Sequence, residues 1–485
     1  QAAASQGNLT EDVSIGLQVL KHLGVLLPES PSQSDIQKGL EETALLCAEQ
    51  DIEALINLPE MTESEPLAAM YILSSIAPAA YVSAPTVLLL IVCKMVNLSL
   101  KYGNATWSSF GYSTYGLILC GVVQDIETGY RFGYLAANLA ERLNVEKVKA
   151  KVFNVWGALI LHWKKHLREA LPVLIEGYQS AVESGDFEMA GHCGFHICDI
   201  SCFLGQELAE AEQKISTYSK AISKIRQEVL LSWIGLVRQV VLNFLGNNPN
   251  PTCLIGESYN EEEGLKTAIK ANDGCQIHQI YLYKLILNYV FGQHQEAIKN
   301  AILAEQYLGS VTALICVPLF HFYDSLAHLA VFAEASSSEQ EVILNRVKNN
   351  QEKMQKWAHH APMNHLHKFY LVEARRHQVL GERLEAVEMY DRAIALAKEN
   401  EYLNEEALAH ELAAKFYLEW GKEKIARVYL TDAWYASARL GAQAKVEDLD
   451  KCYPELIAPI LTHQPTLNTG DTISQLITVT VVSTT

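Results

Sequence analysis

Basic charge is scarce in this 485-residue chain: 38 Lys and Arg stand against 56 Asp and Glu, a formal net charge of -18. An acidic balance of that size argues against nucleic acid or an anionic membrane as a main partner and favours a soluble protein. Strand signals are nearly missing until the C-terminal end, which excludes a sheet-built fold. None of the ten cysteines forms a CxxC pair. Most sit in apolar helical runs, where a free thiol acts as a small hydrophobe, and this suits a reducing cytoplasm. There is no GxxxxGK[ST] loop, so no Walker-type nucleotide site, and no HRD or DFG, so no protein-kinase centre. A secretory signal is also absent. The longest uncharged run, residues 71–93, could span a bilayer by length. Pro78, Pro85 and its small residues fit two buried helices joined by a turn better, so no membrane partner is expected.

What the chain has is helical periodicity and a repeat. Three segments align without adjustment: FGQHQEAIKNAILA with Gly292, Ala297 and Ala304; LGERLEAVEMYDRAIA with Gly381, Ala386 and Ala393; WGKEKIARVYLTDAWY with Gly421, Ala426 and Ala433. Each reads Gly-x4-Ala-x6-Ala. The glycine ends one helix in the left-handed cap conformation. The two alanines share one face of the next helix and let a neighbour approach closely. That is the logic of a tetratricopeptide-like hairpin. Upstream, Gly129 with Ala136 and Ala170 with Gly177 keep the pattern loosely, and Gly205 keeps the turn with Glu210 at the first small position. Positions 129, 170 and 210 are 41 and 40 residues apart, as 386 and 426 are 40 apart. The gaps of 87 and 89 residues between 210, 297 and 386 each leave room for one degenerate unit. The expected fold is an all-α, right-handed tetratricopeptide-like α-solenoid of about ten to twelve hairpins with about 40 residues per repeat.

Two stretches interrupt the pattern. Residues 245–264, rich in Asn, Pro and Gly, read as a loop between N-terminal repeats (1–244) and C-terminal repeats (265–461). Residues 335–342 read as a loop running into a helix start, with Ser338 and Glu341 spaced as a capping box. Residues 462–485 are Ser/Thr-rich and read as a linker or tail. With Gln1 at the start, this leads us to expect a segment of a longer protein.

Three long phrases carry a family resemblance: KYGNATWSSFGYSTYGLILCGVVQDIETGY, NQEKMQKWAHHAPMNHLHKFYLVEA and DRAIALAKENEYLNEEALAHELAAKFYLEWGKEKIARVYL. They resemble the large multidomain signalling kinases of cyanobacteria and related bacteria. In that family a serine/threonine kinase domain precedes a signal-transduction-type ATPase, then a long helical repeat region, a GAF domain and a histidine kinase. The resemblance covers the helical middle region alone. It implies an ATP-binding kinase as parent, but neither a phosphoacceptor histidine box nor glycine-rich ATP boxes occur here, so no catalytic residue carries over.

Several constellations remain. WAHHAPMNHLHK (357–368) holds His359, His360, His365 and His367. Pro362 suits the first turn of a helix, and His359 and His360 suit the end of the preceding one. His365 and His367 are two apart and face opposite sides, whereas helical zinc pairs need i, i+3 or i, i+4 spacing. The stretch reads as a joint between repeats, with one histidine facing a neighbour and the other near neutral for stability. In GHCGFHICDISCFLG (191–205), His192, His196 and Asp199 share a helix face, with Cys198 and Cys202 as a second stripe. That set could hold zinc or iron; the plainer reading is the polar stripe and core of a repeat helix. Tyr283, His321, Tyr323 and Asp324 are candidates for lining a concave groove that binds a peptide, protein or small ligand. The chain is expected to be a cytoplasmic, non-catalytic sensor or scaffold that uses no cofactor. Its partner would be another protein or flanking kinase, ATPase and GAF domains. A ligand pocket in the superhelical groove is the alternative, and a metal-dependent enzyme on the His192/His196/Asp199 face ranks below it.

Overall fold

The structure is a computed structural model, and it describes residues 6–457. The Ser/Thr-rich stretch 462–485 lies outside the described residues. Among them are twenty-one α-helices and no ladder of strands, only two isolated bridges, Glu60 with Asn104 and Ile255 with Asn260. The expectation of an all-α repeat fold therefore holds.

The N-terminal helices are α1 (Gln6–His22), α2 (Gln33–Ala48), α3 (Ser64–Ser83), α4 (Pro85–Tyr102), α5 (Ser108–Ile118), α6 (Ile126–Leu143) and α7 (Glu146–Val155). Then come α8 (Ala170–Glu183), α9 (Phe187–Phe203), α10 (Leu208–Lys224), α11 (Glu228–Phe244), α12 (Glu261–Ala271), α13 (Gly274–Val290) and α14 (His294–Glu305). The C-terminal group is α15 (Cys316–Ala330), α16 (Ser337–His360), α17 (Pro362–Leu380), α18 (Arg383–Glu399), α19 (Leu403–Glu419), α20 (Glu423–Leu440) and α21 (Gln443–Cys452). From α3 onward most helices pack on their successors, as α5 on α6, α13 on α14, α17 on α18 and α19 on α20, while α1 packs on α3 and α2 on α4. The pairs α11/α12 and α15/α16 occupy the two long gaps in the repeat spacing.

The repeat positions explain the hairpins. Gly292, Gly381 and Gly421 have φ of 75°, 78° and 73°, the left-handed turn conformation that glycine adopts at little cost. Ala297, Ala304, Ala386, Ala393, Ala426 and Ala433 are all buried. They form the single buried stripe of α14, α18 and α20, whose other faces meet solvent. By contrast α9, α13, α15 and α19 are buried nearly all round. A helix covered on all sides lies inside its structure. These inner helices face the inside of the coil, and the alanine-striped helices form its outer layer.

Three local readings are refined. The uncharged run breaks at Ala84, with Pro85 at the start of α4, while Pro78 lies within α3. Helix α4 is long and apolar enough to cross a membrane, yet 56% of that window is buried against the rest of the protein. The capping box forms at Ser336 and Glu339, not at Ser338 and Glu341. The Glu339 carboxylate accepts from the Ser336 backbone N–H at 2.8 Å, because the helix begins two residues earlier than the spacing suggested. Residues 245–260 are helix-free, while 261–264, expected to be loop, already form the first turn of α12. Asn243 and Asn248 tie this loop down by donating to the carbonyls of Pro251, Cys253 and Ile255.

One feature of the architecture was not legible in the repeat. The coil closes on itself. Loops that follow α5, α7, α9 and α11 dock against the C-terminal repeats. A Cβ on Gly205 would lie 2.7 Å from the backbone nitrogen of Leu403, and one on Gly121 would lie 2.8 Å from Ala313 Cβ. Gly246 sits against Gln443, and Lys445 donates to the Val290 carbonyl at 2.8 Å.

Candidate functional site

The first turn of α17 is the centre of this closing seam. Pro362 starts the helix, since its missing N–H would be unpaired there anyway. Asn364, two residues on, is fully buried. Its side-chain amide donates to the carbonyls of His162 and Lys165, both at 2.7 Å. Its Oδ1 accepts from the Leu167 N–H at 3.0 Å and from the Tyr402 hydroxyl at 2.8 Å. One side chain thus satisfies backbone groups about two hundred residues away, in a loop that could not otherwise be buried.

The histidine-rich stretch surrounds this asparagine. Trp357 donates from Nε1 to Gln124 Oε1 at 3.0 Å and packs 5.7 Å from the Trp163 ring. His365 lies between those two indoles, 6.1 Å and 6.5 Å from them. Neither of its ring nitrogens has a hydrogen-bond partner among the described residues. Burial, with Lys368 next, holds its pKa well below the ordinary range, so it is a neutral imidazole. His367 is buried as well and pairs with Glu405. Lys368 reaches the same carboxylate at 2.8 Å and lies 4.5 Å over the Tyr402 ring. Burial alone would raise Glu405, but Lys368 and His367 outweigh it and lower its pKa. His162 donates to the Ala313 carbonyl at 2.9 Å, and His166 to that of Asn400 at 3.0 Å. The stretch is therefore a joint, but between turns of the coil as well as between adjacent repeats. The expectation that one of His365 and His367 would be neutral is corrected: both are buried, because closure covers both sides of α17.

The candidate metal residues are spread over different partners. Asp199 is buried and accepts from the Tyr283 hydroxyl at 2.6 Å. Burial raises its pKa to about 7. His196 is buried beside Phe195, and burial lowers it to about 3. His192 faces Trp233. Cys198 and Cys202 are free thiols. Among the described residues no three His, Cys, Asp or Glu side chains converge as a metal-binding set.

All four groove candidates are buried, but only Tyr283 and Tyr323 line the interior cavity; His321 and Asp324 pack against α16 instead. Tyr283 bonds Asp199, and Tyr323 packs edge-on to Tyr289. Asp324 accepts from Arg346 Nε and Asn350 Nδ2, both at 2.7 Å, and Asn350 Oδ1 lies 2.8 Å from His321 Nδ1. Burial would raise Asp324, yet His328 and Arg346 hold it at about 2. What remains open inside is a cavity of ≈ 80 Å³ lined by Tyr283, Tyr323, Glu405, Glu411 and Lys445 among others. Lys445 and Lys415 pair with Glu411 at 3.0 Å and 2.8 Å and, against the upward push of burial, keep its pKa near 2. Sequence reasoning missed Gln124, His162, Asn364 and Tyr402. Their sequence context gave little signal, since Asn364 and Tyr402 lie in polar stretches and Gln124 stands at a turn.

Comparison with known proteins adds one relative with a stated role. The chain is 26% identical over 176 residues to the hybrid signal transduction histidine kinase G of Dictyostelium discoideum. The match covers 36% of this chain and 5% of that protein, so the chain corresponds to a small part of its length. No protein-family profile matches. A solved circular tandem repeat protein with novel repeat topology aligns over 94% of this chain and 98% of its own, at 11% identity and a TM-score of 0.18. A likeness at that score carries no argument. The chain is similar, in part, to a signalling histidine kinase and is built as an all-helical repeat.

Proposed function

We propose that this chain is a non-catalytic scaffold or sensor region of a cytoplasmic multidomain signalling kinase, and that it acts as a closed coil which transmits docking or strain to kinase output. The observation that carries the reading is the stretch of 176 residues shared with the hybrid histidine kinase. By the family resemblance, such a region would follow a serine/threonine kinase and an ATPase and precede a GAF domain and a histidine kinase. Flanking domains or a separate protein are its partners. The seam supports a mechanical role: it joins distant repeats through buried, directional bonds that have a made and a broken state. A ligand inside the coil is less favoured, because ≈ 80 Å³ is far below the roughly 300–1,000 Å³ of ordinary ligand pockets.

The test uses the gene product that carries this segment. Asn364→Ala opens the seam without touching a kinase motif. A changed rate of autophosphorylation from radiolabelled ATP supports the reading. An unchanged rate, in protein whose seam is shown by hydrogen exchange to have loosened, overturns it.

A further inference from the structure

A second hollow lies between α6 and α8, on the other side of the segment 161–165 whose backbone Asn364 holds. Its volume is ≈ 510 Å³, within the roughly 300–1,000 Å³ usual for small-ligand pockets. Tyr130 and Tyr134, one helical turn apart on α6, form one wall with Asn138 and Glu141. Trp156 and Phe153 line it from α7 and the segment that follows. Glu169 and Glu176 line the α8 side, with Lys165 beside them.

The local structure places the aromatic rings. Trp156 begins a π-helical turn, Trp156–Ile160, in which the Leu161 N–H bonds the Trp156 carbonyl. Such turns re-aim side chains and are frequent at functional sites. Gly133 makes room for the indole: a Cβ there would lie 2.5 Å from the Trp156 ring. The Tyr130 and Tyr134 rings stand 5.1 Å and 6.4 Å from it, tilted by 54° and 59°. Tyr134 is 51% exposed beside this hollow.

The charges around the rings are mainly acidic. Glu176 is neutralised by Lys149 at 2.5 Å. Glu141 and Glu169 have no ion-pair partner among the described residues, and Lys165 is the one cation lining the hollow. Glu169 lines the same hollow as the Tyr130 and Tyr134 rings, and burial, with Glu169 next, raises the Tyr130 hydroxyl. Aromatic faces with carboxylates beyond them attract a cation that sheds water easily, and quaternary ammonium groups are the usual occupants of such sites. An anion would meet two free carboxylates. A neutral apolar ligand would leave them without a partner.

We propose that the hollow bounded by Tyr130, Tyr134, Trp156, Glu141 and Glu169 binds a small organic cation bearing an alkylammonium group. Tyr134 supplies an exposed aromatic face, and Glu141 and Glu169 supply the compensating charge.

Isothermal titration of the full chain with choline tests this, with the neutral isostere 3,3-dimethylbutan-1-ol and matched sodium chloride as controls. Saturable binding of choline well above that of the isostere is expected. Tyr134→Ala weakens it roughly two- to thirtyfold, as loss of one cation–π face does. Glu169→Gln weakens it and removes part of its salt dependence. Tyr134 is half-exposed, so its variant keeps the parent melting curve; Tyr134→Phe, which retains the ring, restores most of the binding. Equal binding of choline and the isostere overturns the proposal. So does no saturable binding of choline, or unchanged affinity in both Tyr134→Ala and Glu169→Gln.

Discussion

Asn364→Ala tests the closed coil most directly. The substitution removes four side-chain hydrogen bonds at once: to the carbonyls of His162 and Lys165, from the Leu167 N–H and from the Tyr402 hydroxyl. A buried hydrogen bond contributes about 1 kcal/mol net, so the loss is about 4 kcal/mol, and water entering the space would lower it. The distant partners lie in the short segment between α7 and α8, so the cost falls on seam opening rather than on any one hairpin. Native-state hydrogen exchange at the Lys165 amide, which bonds the Leu161 carbonyl within that segment and not Asn364, reads that opening. At about 1.4 kcal/mol per factor of ten, its exchange should quicken by up to about a thousandfold. Tyr402→Phe removes one of the four bonds and should speed exchange by about fivefold. Amides in α14 and α20, away from the seam, should change little in either variant. Exchange at Lys165 within about a factor of ten of the parent in Asn364→Ala would refute the reasoning, because the bonds would then not hold the coil closed.

Five further outcomes are expected. Ala386→Leu overpacks the fully buried face of α18 and should cost roughly 1–3 kcal/mol in urea denaturation; a neutral result would contradict the alanine stripe. His365→Ala and His367→Ala should both destabilise, since both rings are buried, while chelator should leave the melting temperature unchanged; stoichiometric zinc in the parent would overturn that reading. Acid should destabilise the fold: burial holds His196 at about 3 and His162, His278, His321 and His367 at about 4, all lowered from 6.5. The unfolded chain takes up protons there below that value that the folded chain refuses, so each ring removes up to about 1.4 kcal/mol per pH unit as pH falls through this window. Asp199 runs the other way: burial raises it from 3.8 to about 7, so its cost to stability builds as pH rises from 3.8 to about 7 and is fully present above that. Asp199→Asn should therefore raise the melting temperature more at about pH 8 than at about pH 4, and the reverse order would refute the assignment. Finally, the isolated chain given radiolabelled ATP should incorporate no phosphate, for lack of a phosphate-cradling loop with a metal-binding carboxylate beside it; label on the chain would count against a scaffold.

Local chemistry was readable from the residues because it acts over a few positions. Gly292, Gly381 and Gly421 announce turns that need positive φ, and the alanines five and twelve residues further along mark the faces where helices meet. Pro85 and Pro362 mark helix starts because proline is harmless where no N–H is needed. These signals suffice for the all-α repeat and for the histidine stretch as a joint. They do not carry the pitch of the coil. Small rotations accumulate over each hairpin and decide whether distant repeats meet. That meeting buries His365 and His367 together, draws Tyr283 to Asp199 across the interior and turns Asn364 into a bridge between segments about two hundred residues apart. The π-helical turn at Trp156 and the hollow beside it are of the same kind, since they depend on Gly133 of a neighbouring helix leaving room for an indole. The sequence determined which helices form and which faces they bury against their neighbours; the tertiary structure alone decided that the coil closes, because closure depends on contacts whose partners no local pattern relates.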